Sequence, residues 1–423
     1  MGARVVLQEV GAKIGAVFGA RIEVWPVRSA SVPDQPAAGP RIHVLAEAKV
    51  EELALDRDLR ECVRLTRAEV TPKDHPIGHG SQSTYAVGMA QHPLTDPFRI
   101  GPVEISNRVL LAPLAGIGNW FVRLQAKRHG AGLAVSEMVS SYALHYRNER
   151  TLRELLRIHP DEHPVSVQLF GPDPEAMRSA AGLVAEAGAD LLDINMGCPV
   201  RKVLKTGAGA ALLDDHHLAL QVARAAAEGS GLPVTVKLRS GLRPGDRSGY
   251  ELAIRLASEA GVAAIGFHPR PATVHHKGSP DYALAAELVA ELRRRELECP
   301  VIISGGLGDA EKARHAYKAS DADAVMVARG GMGYPWIFEE LTGRREASPG
   351  AAEVIAELRW VLDRAAEHWG EERAARNLRK FYPWYLDHLE VHGAAAEEFQ
   401  RTPDLDRVRA LLDDVETAVL SPV

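Results

Sequence analysis

From about residue 100 the chain alternates short apolar runs with helix-like segments, and that alternation leaves few folds open. The runs are Val109–Leu114, Leu133–Val139, Val165–Phe170, Leu191–Ile194, Val234–Leu238, Ala263–Phe267, Val301–Ile303 and Ala324–Val327. Helical periodicity marks Pro174–Ala187, Leu218–Glu228, Tyr250–Ala260, Tyr282–Arg295 and Ala310–Ala319 between them. Glycine stands at the end of three of these segments, at Gly188, Gly229 and Gly261. A glycine just past a helix accepts the left-handed conformation that stops it. Runs without internal polar alternation suit a parallel sheet covered on both faces. Eight such units over roughly 240 residues predict a (β/α)8 barrel. A doubly wound open sheet is the alternative, and it usually needs fewer strands.

The flanks read differently. Residues 1–90 move between Gly/Ala-rich, Pro-rich and charged stretches, which predicts a loose or disordered extension. Met89 stands shortly before Pro93-Leu94-Thr95-Asp96-Pro97 and the first strong strand, so the native start is expected at or near it. The barrel is expected over residues 98–345 and a small helical domain over 350–423. In that last region strand signals vanish and Ala352–Trp369 and Leu405–Thr417 carry helical periodicity. It is acidic, yet Arg373, Arg376, Arg379 and Lys380 fall three to four apart beside Phe381, Tyr382, Trp384 and Tyr385. Such a helix face suits phosphates, with rings available for stacking. It also suits a solvated charged face over an aromatic core, the commoner arrangement for such a helix face.

Composition narrows the partners. The formal net charge is −6, so a nucleic-acid partner needs a local basic patch. Cys62, Cys198 and Cys299 are far apart and form no C-x-x-C pair, which argues against a zinc ribbon or a disulfide framework. No metal is expected, and a reducing, cytoplasmic setting fits. No apolar run is long enough to span a membrane. The partly apolar stretch from Val5 to Phe18 is interrupted by Gln8, Glu9 and Lys13 and makes a poor signal peptide.

In a barrel of this kind, functional groups collect at the C-terminal ends of the strands. The sequence puts polar and glycine-rich residues there. Strand one ends in Pro113-Leu114-Ala115-Gly116, strand two in Ser136-Glu137-Met138 and strand three at Gln168. Strand four leads to Asn195-Met196-Gly197-Cys198-Pro199, a tight loop that suits a reactive thiol as well as a small buried one. Strand five carries Lys237 and Arg239, and strand six ends in His268-Pro269-Arg270. Ser304-Gly305-Gly306 and Ala328-Arg329-Gly330 end strands seven and eight. Glycine-rich loops at those two positions form an anion site, because exposed backbone N–H groups close around a phosphate. Lys237 and Gln168 would face an electron-rich polar ring. A phosphorylated, redox-active cofactor follows, and flavin mononucleotide fits best. No G-x-G-x-x-G helix start of a tight dinucleotide site occurs.

These residues resemble the tRNA-dihydrouridine synthases, most of all the bacterial branch. The resemblance is carried by Asn195-Met196-Gly197-Cys198-Pro199 with Lys202-Val203, then by Gly207-Ala208-Gly209-Ala210-Ala211-Leu212-Leu213. Ala112–Gly116, Ser136–Met138, Lys237–Gly241 and Gly333–Phe338 support it, and it covers residues 98–390. His268-Pro269-Arg270-Pro271 stands where the family usually has His-Gly-Arg-Thr. Ser304-Gly305-Gly306-Leu307 stands where Asn-Gly-Asp is common.

The resemblance implies reduction of uridines in tRNA to 5,6-dihydrouridine, with flavin mononucleotide as hydride carrier and NADPH as reductant. It implies that Cys198 gives a proton to C5 as a general acid, keeping that proton at neutral pH. It carries Pro113, Leu114, Ala115, Gln168, Lys237, Ser304, Gly305, Gly306, Ala328 and Arg329 over as flavin positions. His268 and Arg270 would line flavin or substrate, and Asn195, Arg201 and Lys202 would meet the RNA or the uracil. It also favours Arg373, Arg376, Arg379 and Lys380 as tRNA contacts. The nearest alternative is another flavin barrel acting on a small pyrimidine, in the manner of a dihydroorotate dehydrogenase.

Overall fold

The computed structural model describes residues 91–420. The extension expected over residues 1–90, and the start expected near Met89, lie outside the described residues. An antiparallel hairpin, β1 (Phe98–Ile100) and β2 (Val103–Ile105), leads into the barrel. Eight parallel staves follow. They are β3 (Val109–Leu111), β4 (Leu133–Val135) continued by β5 (Val139–Ser140), β6 (Val165–Phe170), β7 (Leu191–Met196), β8 (Val234–Arg239), β9 (Ala264–His268), β10 (Val301–Ser304) and β11 (Ala324–Val327). The ring closes because β4 pairs with both β3 and β6, Leu110 beside Leu133 and Ala134 beside Val165.

Helices cover the outside. They are α1 (Trp120–Arg128), α2 (Ser141–His145), α3 (Glu149–Leu155), α4 (Pro174–Glu186), α5 (Arg201–Leu204), α6 (His216–Ser230), α7 (Ser248–Glu259), α8 (Tyr282–Arg294), α9 (Ala310–Ser320) and α10 (Ile337–Leu341). Asp173, Asp215, Asp281 and Asp309 cap α4, α6, α8 and α9 by accepting from backbone N–H groups of the first turn.

Two sequence expectations are corrected. Gly229 does not end α6; the helix runs to Ser230 and stops at Gly231, which is left-handed at φ +66°. Gly229 is needed for helix packing, since a Cβ there would lie 2.1 Å from the Arg178 carbonyl oxygen on α4. The second strand is not continuous from Leu133 to Val139. It breaks at Ser136–Met138, where the Ser136 hydroxyl donates to its neighbour's carbonyl and accepts from the Gln168 N–H.

Alternate residues of a strand face opposite ways, so the apolar runs serve two cores. Leu110, Leu133, Val135, Leu191, Ala264, Ile302, Ala324 and Met326 fill the barrel interior, joined by Phe98, Ile100 and Ile105 of the hairpin. Leu111, Val167, Leu192, Ile194, Val236 and Phe267 belong instead to the large core shared with the helices. Further along β6, β7 and β8, the column that alternates with these outward residues turns polar: Gln168, Asp193 and Thr235 are register neighbours, as are Asn195 and Lys237. That switch marks the functional end of the barrel. The loop after β3 is pinned there by a buried Arg123–Glu162 ion pair at 2.6 Å, with Arg123 also donating to the Gly118 carbonyl.

Five helices complete the chain: α11 (Ala351–Trp369), α12 (Glu371–Leu378), α13 (Tyr382–His388), α14 (Gly393–Arg401) and α15 (Leu405–Leu420). They pack on α1. Gln125 donates to Glu357 and to the Tyr385 hydroxyl, both at 2.8 Å, and Phe121 meets Trp369 edge-on.

Candidate active site

A cavity of about 660 Å³ opens where the polar strand ends converge. Pro113, Leu114 and Ala115 form one wall after β3. Gln168, Asn195 and Cys198 come from β6 and β7, and Lys237, Arg239, His268 and Arg270 from β8 and β9. Ser304, Gly305, Gly306, Ala328 and Arg329 close the far side. Every residue expected at the cofactor lines this one cavity. Among the described residues that line it, none is acidic, while Lys237, Arg239, Arg270 and Arg329 are cationic.

The glycines at the far side have a steric cause. Gly305 has φ +93°, and a Cβ there would lie 2.3 Å from the Nε2 of His268. Lys237 also needs a glycine. Gly266 lies beside it in the register, and a Cβ there would press on the lysine side chain at 3.2 Å. The Lys237 ammonium donates to the Ser304 hydroxyl at 3.1 Å. Burial pushes its pKa down to about 8, and Arg239 adds repulsion in the same direction. Burial likewise holds His268 well below its ordinary value, reinforced by Lys237, Arg239 and Arg270, so its ring is neutral at pH 7. Its Nε2 lies 3.3 Å from an Arg270 Nη1, and Arg270 is itself held by the Gly278 carbonyl at 2.7 Å.

Cys198 lines the same cavity from a loop that is held from three sides. The Asn195 side-chain oxygen accepts from the N–H groups of Gly197 at 3.2 Å and Cys198 at 2.9 Å. The Cys198 carbonyl accepts from Ala210, and Arg239 donates to the Gly197 carbonyl. Gly209, at φ +63°, lets the following segment press against the cysteine; a Cβ there would lie 2.8 Å from the Cys198 carbonyl oxygen. The thiol is unpaired and half-buried. Cys299, by contrast, is buried elsewhere, and burial pushes its thiol up to about 12.

The structure separates the remaining expected contacts. Arg201 and Lys202 are exposed on α5, directly after the cysteine loop. Arg373 turns to the barrel and pairs with Glu154 of α3 at 2.8 Å. Lys380 also turns to the barrel, donating to the Gly116 carbonyl. Arg376 pairs with Glu372 at 2.6 Å on its own helix, while Arg379 carries no ion pair among the described residues. Of the two readings the sequence leaves open for the rings beside them, burial selects the aromatic core: Phe381, Tyr382 and Tyr385 are core residues, and only Trp384 is half-buried. The exposed rings are on the barrel, at Tyr142 of α2 and at Tyr146 just beyond it.

Sequence reasoning places Arg239 at this end of the barrel without giving it a role, and passes over His276 as a cavity-lining residue and Asp193 below them. Asp193 had a readable signal, since it is a carboxylate inside the apolar run Leu191–Ile194. A carboxylate in a buried strand must find donors. Among the described residues, no cluster of His, Cys, Asp and Glu could hold a metal ion, and no helix is long and apolar enough to cross a membrane.

Comparison with known proteins gives a consistent picture. The family model described as dihydrouridine synthase matches residues 110–420. A tRNA-dihydrouridine synthase B of Xanthomonas axonopodis pv. citri is 37% identical over 69% of this chain and 87% of its own length. One from Pseudomonas aeruginosa is 35% identical over 73% of this chain and 92% of its own. A probable tRNA-dihydrouridine synthase of Mycobacterium tuberculosis is 34% identical over 77% and 86%.

Proposed function

The chain belongs to the dihydrouridine synthase family, and from that premise we propose that it reduces uridines in tRNA to 5,6-dihydrouridine, with flavin mononucleotide and NADPH. The observation that carries the reading is the cavity itself, which four cations, a thiol and no carboxylate line among the described residues. That donor set fits an anionic, phosphorylated cofactor. The Gly305-Gly306 and Arg329-Gly330 loops would hold the phosphate, and Gln168 and Lys237 would hold the polar ring. Flavin mononucleotide, when bound, supplies the hydride for C6 of uracil.

The chain's own residues do the rest. Negative charge develops toward C5 and O4 as C6 gains its hydrogen, and C5 then needs a proton. Cys198 gives that proton from the loop facing the cavity. Lys237 neutralises negative charge at the ring, and the neutral His268 offers a hydrogen bond without adding charge. The target base must leave the tRNA stack to enter, at a cost of roughly a few kcal/mol that contacts outside the pocket offset.

Those contacts belong first to the rim. Arg201, Lys202 and Lys205 are exposed beside the cysteine loop, and none has a carboxylate within ion-pair distance among the described residues. Tyr142 and Tyr146 offer exposed rings after β5, which β6 separates from the strand of the cysteine loop. Arg376 and Arg379 add a weaker contribution from the helical region, and Arg373 and Lys380 hold that region against the barrel. The test is purified protein with unmodified tRNA and NADPH, with dihydrouridine mapped by mass spectrometry and orotate run in parallel. Product on tRNA and none from orotate is expected. Turnover of orotate alone would favour a small-pyrimidine oxidoreductase.

A further inference from the structure

A chain of side-chain hydrogen bonds runs beneath the cavity floor and ends on the cysteine loop. Thr235 donates to one Asp193 oxygen at 2.5 Å, and the Gln168 amide donates to the other at 2.6 Å. The Asn195 amide donates to the Gln168 oxygen at 2.9 Å. The Asn195 oxygen then accepts the two loop N–H groups, at 3.2 Å and 2.9 Å. Asp193, Gln168 and Thr235 are all buried. Gln168 and Asn195 face the cavity; Asp193 does not.

The two ends of this chain decide its direction. A carboxylate can only accept, and backbone N–H groups can only donate. Between them stand two amides, each free in principle to turn end for end. Only one arrangement satisfies every link. The Gln168 NH2 must face Asp193, its oxygen must face Asn195, and the Asn195 oxygen must face the loop. Turning either amide would place two oxygens or two NH2 groups against each other in a buried site, which costs the full desolvation of unpaired groups.

We propose that Asp193 is a positioning residue whose carboxylate sets the hydrogen-bond polarity of Gln168 and Asn195, and through Asn195 holds the Cys198 loop at the cavity. The consequence reaches the ligand. Gln168 and Asn195 keep fixed faces toward the cavity, so the carboxylate one layer down dictates which atoms of a bound ring they can recognise. Its catalytic meaning rests on Cys198 acting on substrate, but the loop geometry does not.

The test therefore reads the loop directly. Asp193→Asn keeps the shape but removes the obligatory acceptor, so the chain's direction is held from the loop end alone and the loop loses its acceptor part of the time. Site-resolved alkylation of Cys198 by iodoacetamide should rise, by up to roughly fivefold, the shift expected for full loss of one hydrogen bond, with the buried Cys299 as an unreactive reference in the same sample. The kcat for tRNA reduction should fall at least as far, with little change in KM for tRNA. The double variant D193N/Q168E moves the carboxylate one link up. The carboxylate introduced at position 168 would accept both from the new amide at position 193 and from Asn195. That turns the Asn195 oxygen back to the loop, so Cys198 alkylation should return to the wild-type rate. A packing role for Asp193 predicts no such return. Asn195→Ala cuts the same chain at its other end and should give the same rise, which keeps the test open if Asp193→Asn does not fold. An unchanged alkylation rate in the folded variants, or failure of the double variant to restore it, would overturn the proposal. Because this readout needs neither flavin nor tRNA, a wild-type protein that makes no dihydrouridine would sink the proposed function and leave this result standing.

Discussion

The barrel mouth and the C-terminal helices are both rich in arginine, and they use it in opposite ways. In the helices, every Lys and Arg except Arg379 and Lys380 has a carboxylate within reach. Arg359 meets Asp413 and Glu416, Arg409 meets Glu371 and Asp406, and Arg407 meets Glu398. These exposed pairs are each worth little, on the order of 0–1 kcal/mol. They do cancel the positive field that would attract a polyanion. At the mouth, Lys237, Arg239, Arg270 and Arg329 converge with no acid among the described lining residues, and the protein's answer to their charge is backbone carbonyls and burial. Asp193 beneath the floor offsets part of the charge of Lys237 but is taken up by Gln168 and Thr235, and the excess of cations that remains suits an anion arriving from outside. The same residue type is scaffold in one region and receptor in the other, and partner geometry separates the two.

Four tests can break or sharpen that contrast. The largest effect is expected at the mouth, from Cys198→Ala. Product formation should drop by about 10²–10⁴-fold, the usual worth of a positioned general acid, while flavin absorbance of the purified protein is kept. Arg329→Ala should come next, weakening flavin mononucleotide binding by roughly ten- to a hundredfold in a fluorescence titration of the apoprotein. Retention of wild-type affinity would remove the phosphate from that loop.

The third test uses pH. A lysine is charged below its pKa, and burial puts that of Lys237 at about 8. Affinity of the apoprotein for the anionic flavin should therefore fall as pH rises through about 8, by up to about tenfold. Lys237→Arg should flatten this profile even if it weakens binding overall. The smallest effects compare the two regions side by side. Reversing Arg201 and Lys202 to Glu should lower the salt slope of tRNA affinity by about one for each phosphate no longer neutralised. Reversing Arg376 and Arg379 should change it less, because Arg376 already has Glu372. Both pairs should leave flavin reduction by NADPH intact. Equal slopes for the two pairs would erase the distinction between rim and helices.

Much of this was readable in the sequence, and the parts that were not have a common cause. The strands β6 and β11 fall where their apolar runs begin and end, because an apolar run bounded by breakers is a local signal. The cavity residues were readable because a barrel sends all its strand ends to one face. The break at Ser136–Met138 was not, since it depends on the Ser136 hydroxyl finding Gln168 on the next strand. Sequence spacing puts Lys380 on one face with the arginines, but its ammonium meets Gly116, 264 residues earlier. The aromatic cluster Phe381–Tyr385 carried two open readings, and burial against α1 decided for core. Asp193 shows the same limit in reverse. Its own position was suspicious, but its partners Thr235 and Gln168 lie on the two neighbouring strands. Periodicity finds elements; it does not find which side chains from different elements will share a hydrogen bond.

The central claim is that the cationic cavity and Cys198 act together on a uridine of tRNA. The most direct measurement loads the protein with flavin mononucleotide, reduces it anaerobically with one equivalent of NADPH, removes the nucleotide and adds unmodified tRNA. Flavin absorbance and dihydrouridine are then read in the same sample. Reoxidation matched one for one by dihydrouridine in the tRNA is the predicted result. A flavin that stays reduced in the presence of tRNA, or reoxidises without forming dihydrouridine, would contradict the account.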